Sequence, residues 1–204
     1  MLPDSILLED WIDPQHLQNE DFWLKTKPFE HCVVTHFFKE SVFDSLRKSC
    51  QEINESNYEI HPTGEYRFAA LPCVEFFKFI YSVKFRQFLR SKLSFNFKPC
   101  RAFPCPQIYR FDTNKKGVNI HNDYDISQRR DFGMIIYLHN DWQPKFGGEL
   151  QLFDKSNLQH AYSTILPLPN SIVGFRVHEG SYHSVRPSNC DWERMSIVVD
   201  WNID

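Results

Sequence analysis

The spacing of apolar residues changes near residue 100. Before it, apolar side chains recur every three or four positions. Ser41 can cap a helix running to about Asn54, in which Val42, Phe43, Leu46, Cys50 and Ile53 form one stripe. After Pro72, the run VEFFKFIYSVKFRQFLRSKL reads as a second helix, with Val74, Phe77, Ile80, Tyr81, Phe88 and Leu89 on a broad face. From Cys100 onward, short β-rich runs alternate with Gly, Pro, Asn and Asp. They are QIYRF, GVNIHND, FGMIIYL, ELQLF, STILPL, SIVGFRV, YHSVRP and RMSIVVDW. Eight such runs predict an antiparallel sandwich or jelly roll. The helices are expected to cover its outer face and leave the inner face for a site. The expected organisation is a single domain over residues 1–204, with a helical or mixed support region (1–98) and a jelly-roll core (99–204).

Composition narrows this picture. The chain has 204 residues, enough for one good core and short for two. Nineteen phenylalanines suit a thick sandwich or an apolar cleft. A net charge of −3 argues against a general polyanion binder. Residues 76–111 nevertheless carry eight basic side chains, no acidic one, and interleaved aromatics. Such a surface suits an anionic substrate such as RNA, a phosphorylated sugar or a lipid headgroup. The favoured reading is the solvated face of an amphipathic helix, with nucleic acid not preferred. The six cysteines form no C-x-x-C pair, the start of the chain does not read as an export signal, and no apolar run is long enough to span a membrane. Reduced thiols and a cytoplasmic location are the expectation.

The candidate chemistry begins with a repeated triplet. His-Asn-Asp occurs in GVNIHNDYD (117–125) and again in IIYLHNDWQ (135–143). In a strand, residues i and i+2 share a face, so His121 with Asp123, or His139 with Asp141, could offer two donors to one metal. Local geometry does not choose between the copies. Chance supplies about 0.6 of a His-x-Asp pair in a chain of this composition, so one copy alone is a weak signal. The second copy lies where the strongest strand stops, before the loop-like WQPKFGG, and reads better as a strand exit and turn. A third donor is available in EGSYHSVRP, from His183 or from its rival His178. Arg194 opens the last strand with Ser196 on the same face. An arginine aimed into a sandwich is costly unless it meets an anion, and its fork suits a carboxylate.

His121-Asn122-Asp123, His183 in HSVRP and Arg194 in RMS occur in an order that resembles the iron(II)/2-oxoglutarate-dependent dioxygenase superfamily. Within it, IIYLHNDWQPKFGGELQLF is similar to core strands of the prolyl 4-hydroxylase-like branch. The resemblance covers roughly residues 105–202 and implies a double-stranded β-helix, mainly β, with the N-terminal helices outside it. It implies iron(II) on His121, Asp123 and His183, and 2-oxoglutarate held by Arg194 with Tyr137 and Ser196. A tyrosine is common in the family ten residues before the first ligand. Phe111 stands there, and Tyr109, two residues earlier on the same strand face, is the substitute. Asp125, Arg129 and Arg130 are candidate substrate contacts beside the first ligands.

The implied activity is hydroxylation of a C–H bond, of a prolyl residue in a protein or peptide, using O₂ and releasing succinate and CO₂. Ascorbate is the expected reductant. A small molecule, sugar or lipid-linked glycan is the alternative substrate, and a non-catalytic jelly-roll binding protein is the alternative of a different class.

Overall fold

The structure, a computed structural model, describes residues 6–18, 21–111, 117–125, 130–189 and 192–204. In chain order, the strands are β1 (His31–Val34), β2 (Glu59–Ile60), β3 (Arg67–Ala70), β4 (Phe97–Pro99), β5 (Gln107–Phe111), β6 (Val118–His121), β7 (Phe132–Tyr137), β8 (Leu150–Leu152), β9 (Ser163–Ile165), β10 (Ser171–Arg176), β11 (His183–Val185) and β12 (Arg194–Ile203). The helices are α1 (Pro14–Gln18), α2 (Glu40–Gln51), α3 (Val74–Ile80) and α4 (Val83–Leu93). Each of the eight runs expected to be strands contains one.

The strands form two antiparallel sheets. The larger has the order β1-β10-β7-β12-β5-β3-β2, with β4 also pairing with β12; the smaller has the order β6-β11-β8-β9. Alternation along the strands divides the larger sheet into two faces. Met195, Ile197, Val199 and Trp201 of β12, with Phe132, Met134 and Ile136 of β7, join the core beneath the helices. The intervening residues face the smaller sheet, where Tyr137, Val173, Phe175 and Phe111 form a second apolar cluster with Leu150, Leu152 and Val185. This is the expected jelly roll with its helices outside.

Residues 1–98, expected as a helical or mixed support region, contribute β1, β2, β3 and most of β4 to the larger sheet. These strands are two to four residues long, too short for alternation to stand out; β1, β3 and β4 form by pairing with β10, β5 and β12, and β2 pairs with β3. The single helix expected over VEFFKFIYSVKFRQFLRSKL is two. Ser82 is extended (ψ 151°) and its hydroxyl accepts from Phe85 N at 3.1 Å, capping a new helix. The break shifts the buried face. Phe76, Phe79 and Ile80 are buried, whereas Val74 is 64% exposed.

Part of the basic stretch is engaged with the protein. Lys92 is buried with its ammonium over Trp23 and Phe88, Lys78 pairs with Glu75, and Arg110 makes a two-pronged contact with Glu193. No helix among the described residues is long and apolar enough to cross a membrane. The five described cysteines are free.

Candidate active site

Adjacent strands bring the two histidines together. β6 and β11 run antiparallel, with His121 directly opposite His183, and their rings lie 4.3 Å apart. Gly117 makes the approach possible: its φ is +72°, and a Cβ there would collide with the Val185 carbonyl oxygen. Each imidazole is oriented from behind. His121 Nδ1 bonds Asn119 O at 2.7 Å and His183 Nδ1 bonds Ser181 O at 2.9 Å. A backbone carbonyl can only accept, so both Nδ1 atoms carry the proton and both Nε2 lone pairs are left for the site.

Asp123 arrives by a different route from the one expected. Strand alternation should have placed it beside His121, but β6 ends at His121. Asp123 instead adopts a left-handed conformation (φ +56°), which aspartate tolerates better than most residues. Its two oxygens lie 3.4 Å from His121 Nε2 and 3.4 Å from His183 Nε2. The three donors fall within 4.8 Å of one another. Neighbouring donors around a small divalent cation sit about 3 Å apart, so the cluster can hold such an ion with little adjustment. Burial opposes the carboxylate charge of Asp123, but the two imidazoles and Arg130 override it and hold its pKa well below the usual range. At His121, burial works downward, yet Asp123 makes the net shift upward.

The second copy is separate from this cluster. His139 lies beyond the end of β7, buried against Trp192, and its Nε2 bonds the Pro167 carbonyl. Burial lowers its pKa to about 4. Asp141 is exposed. His178 faces Glu30 at 3.9 Å and is no part of the three-donor cluster.

The anion side is built on β12. Arg194 is 2% exposed, with its guanidinium 4.6 Å from the Phe111 ring and 4.9 Å from the Tyr137 ring. Its Nη2 donates to Tyr137 Oη at 3.3 Å, while its Nε is buried with no partner. Ser196 Oγ is likewise buried and unpartnered. Orphaned buried donors are costly, and a carboxylate received by the fork and the hydroxyl would satisfy both. The register aligns Tyr137, Ser196 and Tyr109 across three neighbouring strands, so Tyr109 does share this row, while Phe111 lies opposite Arg194. Arg194, Ser196, Tyr109, His121, Asp123 and His183 line one cavity of about 110 Å³.

The expected substrate contacts fare unequally. Asp125 is exposed, two residues along the chain from Asp123, and Arg129 lies outside the described residues. Arg130 turns inward. Its Nη2 lies 2.6 Å from Asp123 Oδ1 and its Nη1 lies 3.6 Å from Asp200 Oδ1. Two residues were missed from the sequence. Tyr66, in the loop before β3, stacks on Tyr109 with centroids 4.6 Å apart. Asp200 is 6% exposed in the cavity wall, and burial raises its pKa to about 6. Its signal was legible: it continues the Arg194, Ser196, Val198 alternation of β12.

Comparison with known proteins agrees with this geometry. Residues 107–201 match the family described as the 2OG-Fe(II) oxygenase superfamily. A Xenopus laevis protein named prolyl 3-hydroxylase OGFOD1 is 25% identical over 202 residues, covering 95% of this chain, which spans 38% of that relative's length. The fold is similar to a Pseudomonas putida prolyl-4-hydroxylase (TM-score 0.65, 17% identity, 84% of this chain and 91% of that one). It is also similar to a Trichoplax adhaerens prolyl hydroxylase in complex with a hypoxia inducible factor peptide fragment (TM-score 0.68, 13% identity, 84% and 83%). Residues 107–201, just under half of this chain, are thus similar to the 2OG-Fe(II) oxygenase superfamily, and the fold is similar to a prolyl-hydroxylase jelly roll.

Proposed function

We propose that this chain is an iron(II)/2-oxoglutarate-dependent dioxygenase that hydroxylates a prolyl residue of a protein or peptide. The observation that carries this reading is one cavity in which a His-Asp-His donor set faces a buried arginine with an unsatisfied donor. The name of the sequence relative and those of the structural neighbours supply the prolyl substrate class. The whole chain is taken as one domain acting in the cytoplasm, with ascorbate keeping the metal reduced.

In this assignment His121, Asp123 and His183 hold iron(II), leaving positions open for substrates. Arg194 binds the distal carboxylate of 2-oxoglutarate, Ser196 donates to it, and Tyr137 supports the arginine from behind. Bound iron(II) supplies the oxidative decarboxylation of 2-oxoglutarate to succinate and CO₂, coupled to insertion of one oxygen atom of O₂ into a C–H bond. The protein's own contribution is positioning and shielding. Asn119 O and Ser181 O lock the imidazoles, while Tyr66, Tyr109, Phe111 and Phe175 wall the cavity against water. Arg130, fixed between Asp123 and Asp200, borders both this cavity and the adjoining groove, where it can meet substrate.

The test is succinate formation from 2-oxoglutarate with iron(II), ascorbate, O₂ and proline-containing peptides, comparing wild type with His121→Ala and His139→Ala. Turnover lost only in His121→Ala is the expected result, and amino-acid analysis of the product then assigns the ring carbon. Turnover with a sugar or free metabolite in place of peptide would transfer the reading to a small molecule. Tight iron and 2-oxoglutarate binding without succinate from any substrate would make this a binding protein.

A further inference from the structure

A second groove, of about 460 Å³, opens directly off the cavity. The two share Tyr66, Tyr109, Val118, His121, Asp123 and Arg130. Beyond them, the groove walls are the rings of Phe68 and Phe103 and the partly exposed Ile120 of β6. Its rim is the turn between β2 and β3, which carries His61, Thr63 and Glu65.

That turn is closed and rigidly hydrogen-bonded. His61 N donates to Tyr66 O at 2.9 Å, Gly64 N donates to His61 O at 2.7 Å, and Gly64 takes φ +70° at the corner. The side chains form a second layer. Thr63 Oγ1 donates to Glu65 Oε2 at 2.7 Å and lies 2.8 Å from His61 Nδ1. The His61 ring stacks on Tyr66 at 4.4 Å and 18°, and Tyr66 stacks in turn on Tyr109. Glu65 is therefore held in a fixed relation to the ring stack that walls the cavity.

The charge balance of the groove is uneven. The Arg130 cation is engaged by two carboxylates, Asp123 and Asp200. No described cation is in ion-pair contact with Glu65, a partly buried residue whose carboxylate accepts from the Thr63 hydroxyl. An aromatic-walled groove with a fixed carboxylate on its rim matches a long cationic side chain, with its apolar stem on the rings and its head at the acid.

We propose that this groove receives an extended peptide and that Glu65 selects a lysine or arginine within a few residues of the target proline. The inference rests on the hydroxylase reading only for the identity of the target residue. Glu65 and the Thr63–His61 pair that orients it act on substrate choice, not on the chemistry.

The test measures binding, so it does not depend on turnover. The full chain is loaded with zinc(II), which is redox-inert, and with 2-oxoglutarate. It is titrated into fluorescent peptides holding one proline and one lysine, moved from three residues before the proline to three after. Matched peptides carry norleucine or glutamate in place of lysine. Wild type should bind the lysine peptide about five- to ten-fold more tightly than the norleucine peptide in at least one register. Glu65→Gln should erase that difference, and Glu65→Lys should turn the preference toward the glutamate peptide, with thermal unfolding confirming that each variant is folded. Equal affinity for all three peptides, no peptide binding, or a lysine preference that survives Glu65→Gln overturns the inference. Replacing zinc(II) with iron(II) and O₂ separates the two claims. Charge-selective binding without hydroxylation defeats the hydroxylase reading and leaves this inference standing. Hydroxylation without charge preference does the reverse.

Discussion

Removing the Arg194 guanidinium tests the 2-oxoglutarate assignment most directly. The side chain is 2% exposed, stacked between Phe111 and Tyr137, with its Nε unpartnered inside the jelly roll. A carboxylate received by this fork gains charge-assisted hydrogen bonds worth about 1.5–3 kcal/mol each. Losing even one corresponds to roughly a 10- to 150-fold weaker Kd, at about 1.4 kcal/mol per factor of ten. Arg194→Ala is expected to weaken 2-oxoglutarate by at least about ten-fold. Arg194→Lys should fall between, since it keeps the charge and loses the planar fork.

The assay is anaerobic calorimetric titration of the iron-loaded protein with 2-oxoglutarate, and with 2-oxobutyrate, which lacks the distal carboxylate. Wild type should strongly prefer 2-oxoglutarate and Arg194→Ala should not, which isolates the arginine–carboxylate term from any general loosening of the site. The substitution also removes two ring contacts, so melting curves must show a folded variant. A folded Arg194→Ala protein that keeps the full preference for 2-oxoglutarate would refute the assignment.

His121→Ala, Asp123→Ala and His183→Ala should each lose stoichiometric iron(II), measured by metal analysis of folded protein, whereas Asp141→Ala and His139→Ala should keep it. Iron loss in Asp141→Ala with the fold intact would move the metal to the second copy. His139 gives a pH signature. Burial lowers its pKa to about 4 from 6.5, so the unfolded chain takes up a proton that the folded chain refuses between those values. Its contribution is fully present above about pH 6.5 and is lost as pH falls toward 4, by up to about 3 kcal/mol. Denaturant unfolding of wild type and His139→Gln at several pH values should show a flatter profile in the variant. Equal slopes over that window would mean the imidazole is protonated in the fold. Gly117→Ala combines a positive φ with a collision at the Val185 carbonyl and should lower stability by about 1–3 kcal/mol, weakening iron binding along with the β6–β11 pairing. A melting temperature equal to that of wild type would show that β6 accommodates the methyl group.

The amino-acid sequence by itself determined the local features. Period-2 alternation and turn residues marked the eight strands from residue 100 onward, because each needs only a handful of neighbouring side chains to declare itself. The order of His121, Asp123, His183 and Arg194 was legible for the same reason, since each sits in a short motif. Tertiary structure decided whatever depends on a distant partner. β1 and β3 exist because β10 and β5 offer hydrogen bonds to short segments, and β2 forms on β3. Asp123 reaches the site through a left-handed residue after β6, not through strand alternation. Tyr66 becomes a wall of the cavity only when the β2–β3 turn folds over Tyr109. Arg130 is held between Asp123 and Asp200, the latter seventy residues away along the chain. Strand propensity is written in adjacent residues, but burial and charge pairing are properties of side chains that meet only after folding.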